Sequence, residues 1–262
     1  MRPYPDYPND STSTFPTTPG ETEGHHLHRL LSHLKSHPSA AQSGGEPQLN
    51  EPIVFMPPRV EGIDVSDNNG LINWERWRGH ILFAEIKATE GLTFDDPTFA
   101  ENWSHALGLD LVRFAYHYGH PDEDPAKQAA FFTRTVRAQG MRDVDHFVLD
   151  LEVSRGKTPM EVSFWAYVFC REVNRLNPGK RVMVQTFPSF ADAGFCAKLG
   201  AWHLWVMDWN VPEPSMPVGP WKNWALWQYA EGSGGGLDRD RFNGTPALLH
   251  RFVRSTGPEG PL

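Results

Sequence analysis

Two carboxylates lie two residues apart in Asp150-Leu151-Glu152, at the end of the apolar run His146-Phe147-Val148-Leu149. The run reads as a buried strand, and side chains two apart on a strand project to the same face. The pair therefore reaches one pocket from the strand's C-terminal tip. Two carboxyl groups held close in a partly desolvated site repel, so that one keeps a proton while the other stays ionised. Hydrolysis of a glycosidic bond needs that division of labour: an acid for the leaving oxygen and an anion facing the positive sugar. A bare Asp-x-Glu is common by chance and also reads as a solvated strand end, so the surrounding elements must decide.

From Val60 onward, strand-like and helix-like segments alternate. Candidate strands span 62–65, 81–87, 109–116, 146–151, 181–186, 203–207 and 224–229, with helical patterns at 97–107, 125–139, 159–176 and 189–199. Proline at or near the start of these helices suits the first turn, where its missing N–H costs nothing. Strands separated by helices imply parallel pairing through crossovers, hence an α/β doubly wound sheet or barrel. After Leu199 the helices fade and the strands come closely spaced, so a regular eightfold repeat is not expected. In barrels of this kind the chemistry gathers at the C-terminal ends of the strands. Those tips carry Asp64, Lys87 with Glu90, Tyr116 to Tyr118, Asp150 with Glu152, Gln185, Asp208 with Trp209, and Gln228 with Tyr229; Asp238 follows a Gly-rich loop. Acids polarise and protonate, while flat rings stack on sugar faces and exclude water. Plainer readings stand beside these: Asp64 as a turn acid, Lys87 with Glu90 as a local ion pair, Tyr116 as barrel filling.

The first 58 residues differ from the rest. They hold 10 of the 23 prolines and none of the 10 tryptophans. Such a segment buries too little apolar area to offset its chain entropy, so residues 1–58 are expected to be a disordered tail, 59–255 a barrel domain and 256–262 a flexible end. Within the tail, Leu27, Leu30, Leu31 and Leu34 share one face of a short amphipathic helix, which reads either as residual helicity or as a docking element for a carrier or partner. The net charge of −8 carries no basic footprint for nucleic acid. No 18-residue apolar run predicts a transmembrane helix, and the N-terminus lacks the apolar core of a secretory signal. Cys170, on the helical stripe of Val162, Trp165, Ala166, Phe169 and Val173, and Cys196 are expected to be buried, reduced thiols. Five of the 12 histidines cluster in the tail, and none has a His-Glu-x-x-His or Cys-rich spacing, so neither a catalytic metal nor another cofactor is expected.

Seven blocks, taken in order, resemble glycoside hydrolase family 25 muramidases. They are Gly62-Ile63-Asp64-Val65-Ser66; Asn69-Gly70 with Ile72-Asn73-Trp74; Phe83-Ala84-Glu85-Ile86-Lys87-Ala88-Thr89-Glu90-Gly91; Tyr116-His117-Tyr118; Asp150-Leu151-Glu152; Leu204-Trp205-Val206; and Trp227-Gln228-Tyr229. The resemblance spans about 61–244. It implies an irregular TIM-like barrel, (β/α)5(β)3, and hydrolysis of the β-1,4 bond between N-acetylmuramic acid and N-acetylglucosamine in peptidoglycan. By that resemblance Glu152 matches the general acid/base, Asp150 the carboxylate that assists the substrate's N-acetyl group, Asp64 the first-strand acid, and Asp238 the last-strand acid, with Asp240 as the alternative. Lys87, Glu90, Phe94 and Tyr118 match positions lining the sugar cleft; Tyr116, Gln185, Trp205, Trp209 and Gln228 join them as substrate-binding candidates. Gln185-Thr186 departs from the family's Tyr-Thr, and a glutamine can hydrogen-bond a sugar but cannot stack on it.

The chain is accordingly expected to act on the cell wall, as a monomer. The competing reading is a non-catalytic wall-binding or structural component of a phage tail or contractile injection particle. Without a visible export signal, delivery by lysis, by particle loading or by a non-Sec route all remain compatible with the chain.

Overall fold

The computed structural model describes residues 59–232 and 236–255. The proposed tail helix and the proposed flexible end lie outside the described residues. Strand β1 (Val60–Val65) pairs in parallel with β2 (Phe83–Glu90), and β2 with β4 (Val112–Tyr118). The parallel series continues through β5 (His146–Asp150), β6 (Val182–Thr186), β7 (His203–Met207) and β8 (Leu226–Ala230). The last strand, β9 (Asp238–Phe242), runs antiparallel to both β8 and β1 and closes the barrel. A short strand, β3 (Phe94–Asp95), folds back on the end of β2.

Four of the five described helices start on proline, and polar residues cap three of them. Helix α1 is Phe99–Gly108, α2 Pro125–Ala138, α3 Pro159–Leu176, α4 the single turn Pro188–Phe190, and α5 Pro246–Arg254. The Asp124 carboxylate accepts from Ala126 and Lys127 N–H, Thr158 and Glu161 form a reciprocal capping box, and Thr245 Oγ accepts from Leu248 N–H. Each cap satisfies donors that the first turn leaves open. None of the described helices is long and apolar enough to cross a membrane.

The architecture is the expected irregular α/β barrel, with three local differences. The first crossover holds only the 3-10 turns Asp67–Asn69 and Trp74–Trp77, in a stretch where no helical pattern is visible in the sequence. The pattern at 189–199 yields the one-turn α4 and a bulged turn, Ala191–Phe195, broken by Gly194 at φ 92°. Helix α5 was not expected, and strand β9 was indicated only by the resemblance, through its last-strand acid, not by any apolar pattern. The β9 sequence, Asp-Arg-Asp-Arg-Phe, lacks the apolar run that betrays a central strand, because its acids point into a polar interior.

Alternation sorts the side chains into two layers. Ala84, Ile86, Phe147, Leu149, Val184 and Leu204 face outward under the helices. Phe83, Phe114, Val148, Met183, Trp205, Leu226 and Phe242 fill the barrel itself. Phe83 meets Phe114 and Trp205 edge-on at 6.0 and 5.8 Å. Gly62 leaves the room for this: a Cβ there would stand 2.2 Å from the Phe83 ring. Gly62→Ala is therefore expected to destabilise the fold by about 1–3 kcal/mol, the usual cost of overpacking a dense core. A urea or thermal unfolding curve checks this.

At the N-terminal end of the strands, α5 plugs the barrel. His146 Nε2 lies 2.8 Å from Val253 O, and Arg181 Nε donates to Phe252 O at 2.9 Å. Burial lowers the His146 pKa to about 4, so the ring is neutral. This end serves stability. Cys170 and Cys196 are both free and buried, as expected.

Candidate active site

The opposite end of the barrel gathers the acids. Asp150 closes β5, in register with Tyr118 on one side and Gln185 on the other. Glu152 follows two residues on, where the ladder has ended, and is only 2 % exposed. Leu151 between them is fully buried in the layer beneath the helices, so Asp150 faces the barrel as alternation requires. Across the mouth, Asp64 at the tip of β1 lies opposite Asp238 at the start of β9. One amide ties the two acids together: Gln228 Nε2 donates to Asp64 Oδ2 at 3.1 Å and to Asp238 Oδ2 at 3.3 Å. The carbonyl of the same side chain accepts from Trp209 Nε1 at 3.0 Å, which brings a half-buried indole to the rim. Gly232 N–H donates to Asp238 Oδ1 at 2.6 Å and orients the acid further.

On the other flank, Lys87 Nζ donates to Glu90 Oε2 at 2.8 Å and lies 5.6 Å from the Tyr118 ring and 5.2 Å from the Phe94 ring. His120 Nε2 sits 3.0 Å from the second Glu90 oxygen. Burial pushes the Glu90 carboxyl up, but His120 and Lys87 outweigh it and hold its pKa at about 2. The ion pair and a cleft-facing role thus coexist here. His117 is buried among Thr89, Gln128, Phe132 and Phe169 beneath the helices, and burial lowers its pKa to about 3. It belongs to the packing.

Six of the substrate-binding candidates are buried, Lys87, Tyr118 and Gln228 at the mouth and three others within the barrel. Gln185 is buried and donates Nε2 to Glu85 Oε2 at 2.9 Å. Trp205 is wholly buried, packed edge-on against Phe83 and Phe114, with its Nε1 donating to Asp240 Oδ1 at 3.0 Å. Tyr116 is buried in the same interior cluster. These side chains form the floor of the site rather than its walls. A strand buried on its inner face hides even large tips there, which residue type alone does not reveal. The same geometry separates Asp238 from Asp240. Asp238 stands at the mouth, and Asp240 lies one step down, opposite Gly62 and fully buried.

Glu85 was missed. It is fully buried on β2, in register with Asp64. The signal was present in Phe83-Ala84-Glu85-Ile86-Lys87, whose alternation points Phe83, Glu85 and Lys87 to one face. Burial first, then the charges of Asp64, Asp240 and Asp150, push the Glu85 carboxyl well above its ordinary range, while the Gln185 amide draws it down. Burial and Asp64 raise Asp240 in the same way against the Trp205 hydrogen bond. Both carboxyls therefore hold their protons to higher pH than an ordinary carboxyl does.

A consequence for stability follows. A carboxyl raised in the folded state stabilises fully below its unfolded value, about pH 4.3 for a glutamate, and loses that contribution as pH rises through the folded value. The native protein should therefore lose stability as pH climbs above the ordinary carboxylate range. Glu85→Gln, whose amide oxygen still accepts from Gln185, should flatten that decline. Melting midpoints of the two proteins between pH 5 and 9 check it. Glu90 acts in the opposite sense, through stability lost as pH falls from about 4 toward its lowered value of about 2, outside that window.

Comparison with known proteins comes to the same place. The family model for glycosyl hydrolases family 25 matches residues 63–234. "Lysozyme M1" of Streptomyces globisporus is 29 % identical over 218 residues, covering 75 % of this chain and 72 % of that protein. An "N,O-diacetylmuramidase" of Arthroderma benhamiae is 27 % identical over 212 residues, covering 74 % of this chain and 87 % of that one. The crystal structure of a bacterial lysozyme from Streptomyces coelicolor superposes with a TM-score of 0.67 at 28 % identity, over 76 % of this chain and 98 % of the other.

Proposed function

The chain belongs to glycosyl hydrolase family 25, and on that premise we propose that it is a retaining N-acetylmuramidase in which Glu152 is the general acid/base and Asp150 assists the substrate's N-acetyl group. It is a glycoside hydrolase of the muramidase type, and peptidoglycan of the cell wall is its substrate. The bond cleaved is the β-1,4 link from N-acetylmuramic acid to N-acetylglucosamine.

The chemistry follows from the carboxyls. Glu152, protonated, gives its proton to the glycosidic oxygen as the C1–O bond breaks. The acetamido oxygen of the same sugar attacks C1 from the opposite face and forms a cyclic oxazolinium ion. The Asp150 carboxylate accepts from the acetamido N–H and offsets the charge that develops there. Water then attacks C1, Glu152 takes its proton, and the ring opens with retained configuration. Asp64 and Asp238, held by Gln228, face the same mouth and orient the sugar. Lys87, Glu90, Phe94, Tyr118 and Trp209 supply the hydrogen bonds and flat rings that hold the glycan across it.

The observation that carries this reading is the convergence of Asp150, Glu152, Asp64 and Asp238 at one end of a barrel, the first three of them within the 63–234 stretch that matches the family model. Turbidity of a suspension of purified cell walls tests it: the suspension should clear on adding the protein. Binding to the walls with no loss of turbidity would favour the non-catalytic reading instead.

A further inference from the structure

On the outer side of the β1–β9 wall a cavity of about 540 Å³ opens between the turn Trp74–Trp77 and the start of β9. Asn69, Arg76, Trp77, His80, Leu237 and Arg239 line it, and no carboxylate does. Strand alternation explains its position. Asp238 faces the barrel mouth, so its neighbours Leu237 and Arg239 face out. The cavity and the mouth are therefore one strand apart. At their shared rim Asn69 Nδ2 donates to Gly236 O at 3.3 Å, on the segment that directly follows Asp64.

The cations of this cavity have donors to spare. The Arg239 guanidinium stacks on Trp77 at 4.9 Å, and its Nη2 stands 3.6 Å from Glu61 Oε2. That carboxylate is already bonded at 2.8 Å by Arg241 and at 2.8 Å by Tyr229. Arg76 is exposed and makes no ion pair among the described residues, because Glu75 in the same turn is gripped through both oxygens by Arg78. Two guanidinium groups beside an indole and a leucine suit a carboxylate carried on a short amide backbone, since the planar fork of arginine matches a carboxylate.

We propose that this cavity is a carboxylate-binding subsite for the peptide stem of peptidoglycan. The muramic acid unit bears a lactyl ether from which a peptide with free carboxylates extends, and a glycan lying in the adjoining mouth would deliver that stem over the Asn69–Gly236 rim. The ligand's identity rests on the muramidase reading; the anion selectivity rests on the cavity's own residues.

The test uses the full-length protein with two glycan oligomers, one carrying its peptide stems and one stripped of them by an amidase. Arg76→Glu should lower kcat/KM on the stem-bearing glycan about five- to tenfold, mainly through KM, in line with losing one exposed charge-assisted hydrogen bond. Hydrolysis of the stripped glycan should change less than twofold. Equal losses on both glycans, or none on the stem-bearing one, would overturn the proposal. A second measurement needs no catalysis: the His80 ring signals in NMR should shift when soluble stem tetrapeptide is added. They should not shift with the fully amidated tetrapeptide, nor in Arg76→Glu. Absence of the shift in the native protein refutes the subsite. A native protein that cuts neither glycan yet shows the shift refutes the hydrolase reading and leaves the subsite standing.

Discussion

Replacing Glu152 by Gln is expected to reduce wall lysis by about 10²–10⁴-fold, the range for removing a general acid, with little change in melting temperature. The substitution keeps the shape of the side chain and deletes the group that carries the proton in the proposed mechanism. Glu152 is nearly buried just beyond the end of β5, so an isosteric amide leaves the packing around it intact. Asp150→Asn should also cut turnover severely while wall binding is retained, because the carboxylate acts on charge that develops only in the transition state. Rates of turbidity loss against protein concentration measure both variants. More than half of native activity in Glu152→Gln would contradict the assignment.

The largest effect on stability is expected away from the mouth, at Asp145. Its carboxylate has no exposed surface and binds Arg113 at 2.5 Å and Arg142 at 3.1 Å, while its Oδ2 accepts from Arg142 N–H at 2.6 Å. Arg113 is equally buried, stacks on Trp103 at 4.0 Å and donates Nη1 to Trp103 O at 2.9 Å. The pair thus pins α1 and the turn before β5 to β4. Asp145→Ala would leave a guanidinium without its counter-charge in a dry site, and removing one partner of such a pair costs about 3–5 kcal/mol. Replacing Arg113 and Asp145 together by apolar residues should cost much less, because no charge is then stranded. Urea unfolding of the single and double variants separates the two outcomes.

The parts of the barrel visible in the sequence are those written in apolar periodicity. Runs such as His146–Leu149 and stripes such as Val162, Trp165, Ala166 and Phe169 bury their apolar members as expected. Strand β9 did not show in the periodicity, and only the resemblance indicated it, because two of its inward residues are the acids Asp238 and Asp240, with Phe242 the single apolar one. Helix α5 escaped because Pro246-Ala-Leu-Leu-His-Arg-Phe-Val-Arg is too short to stand out from a loop, and it is held by the barrel end it plugs. The acid-bearing end of the barrel was legible as a set of strand tips, since Asp64, Asp150 and Glu152 fall where parallel strands end. Depth was not legible. Whether Gln185 or Trp205 meets solvent depends on the partner across the barrel, Glu85 for one and Asp240 for the other, and neither pairing is local in sequence.

The central claim, cleavage at muramic acid, is tested most directly by the new reducing ends. Purified walls are digested with the full-length protein, the products are reduced with borohydride, and the terminal sugar alcohols are identified by mass spectrometry. The account predicts that N-acetylmuramitol termini accumulate in step with the loss of turbidity. Accumulation of N-acetylglucosaminitol termini, or solubilised wall with no new reducing ends, would contradict it.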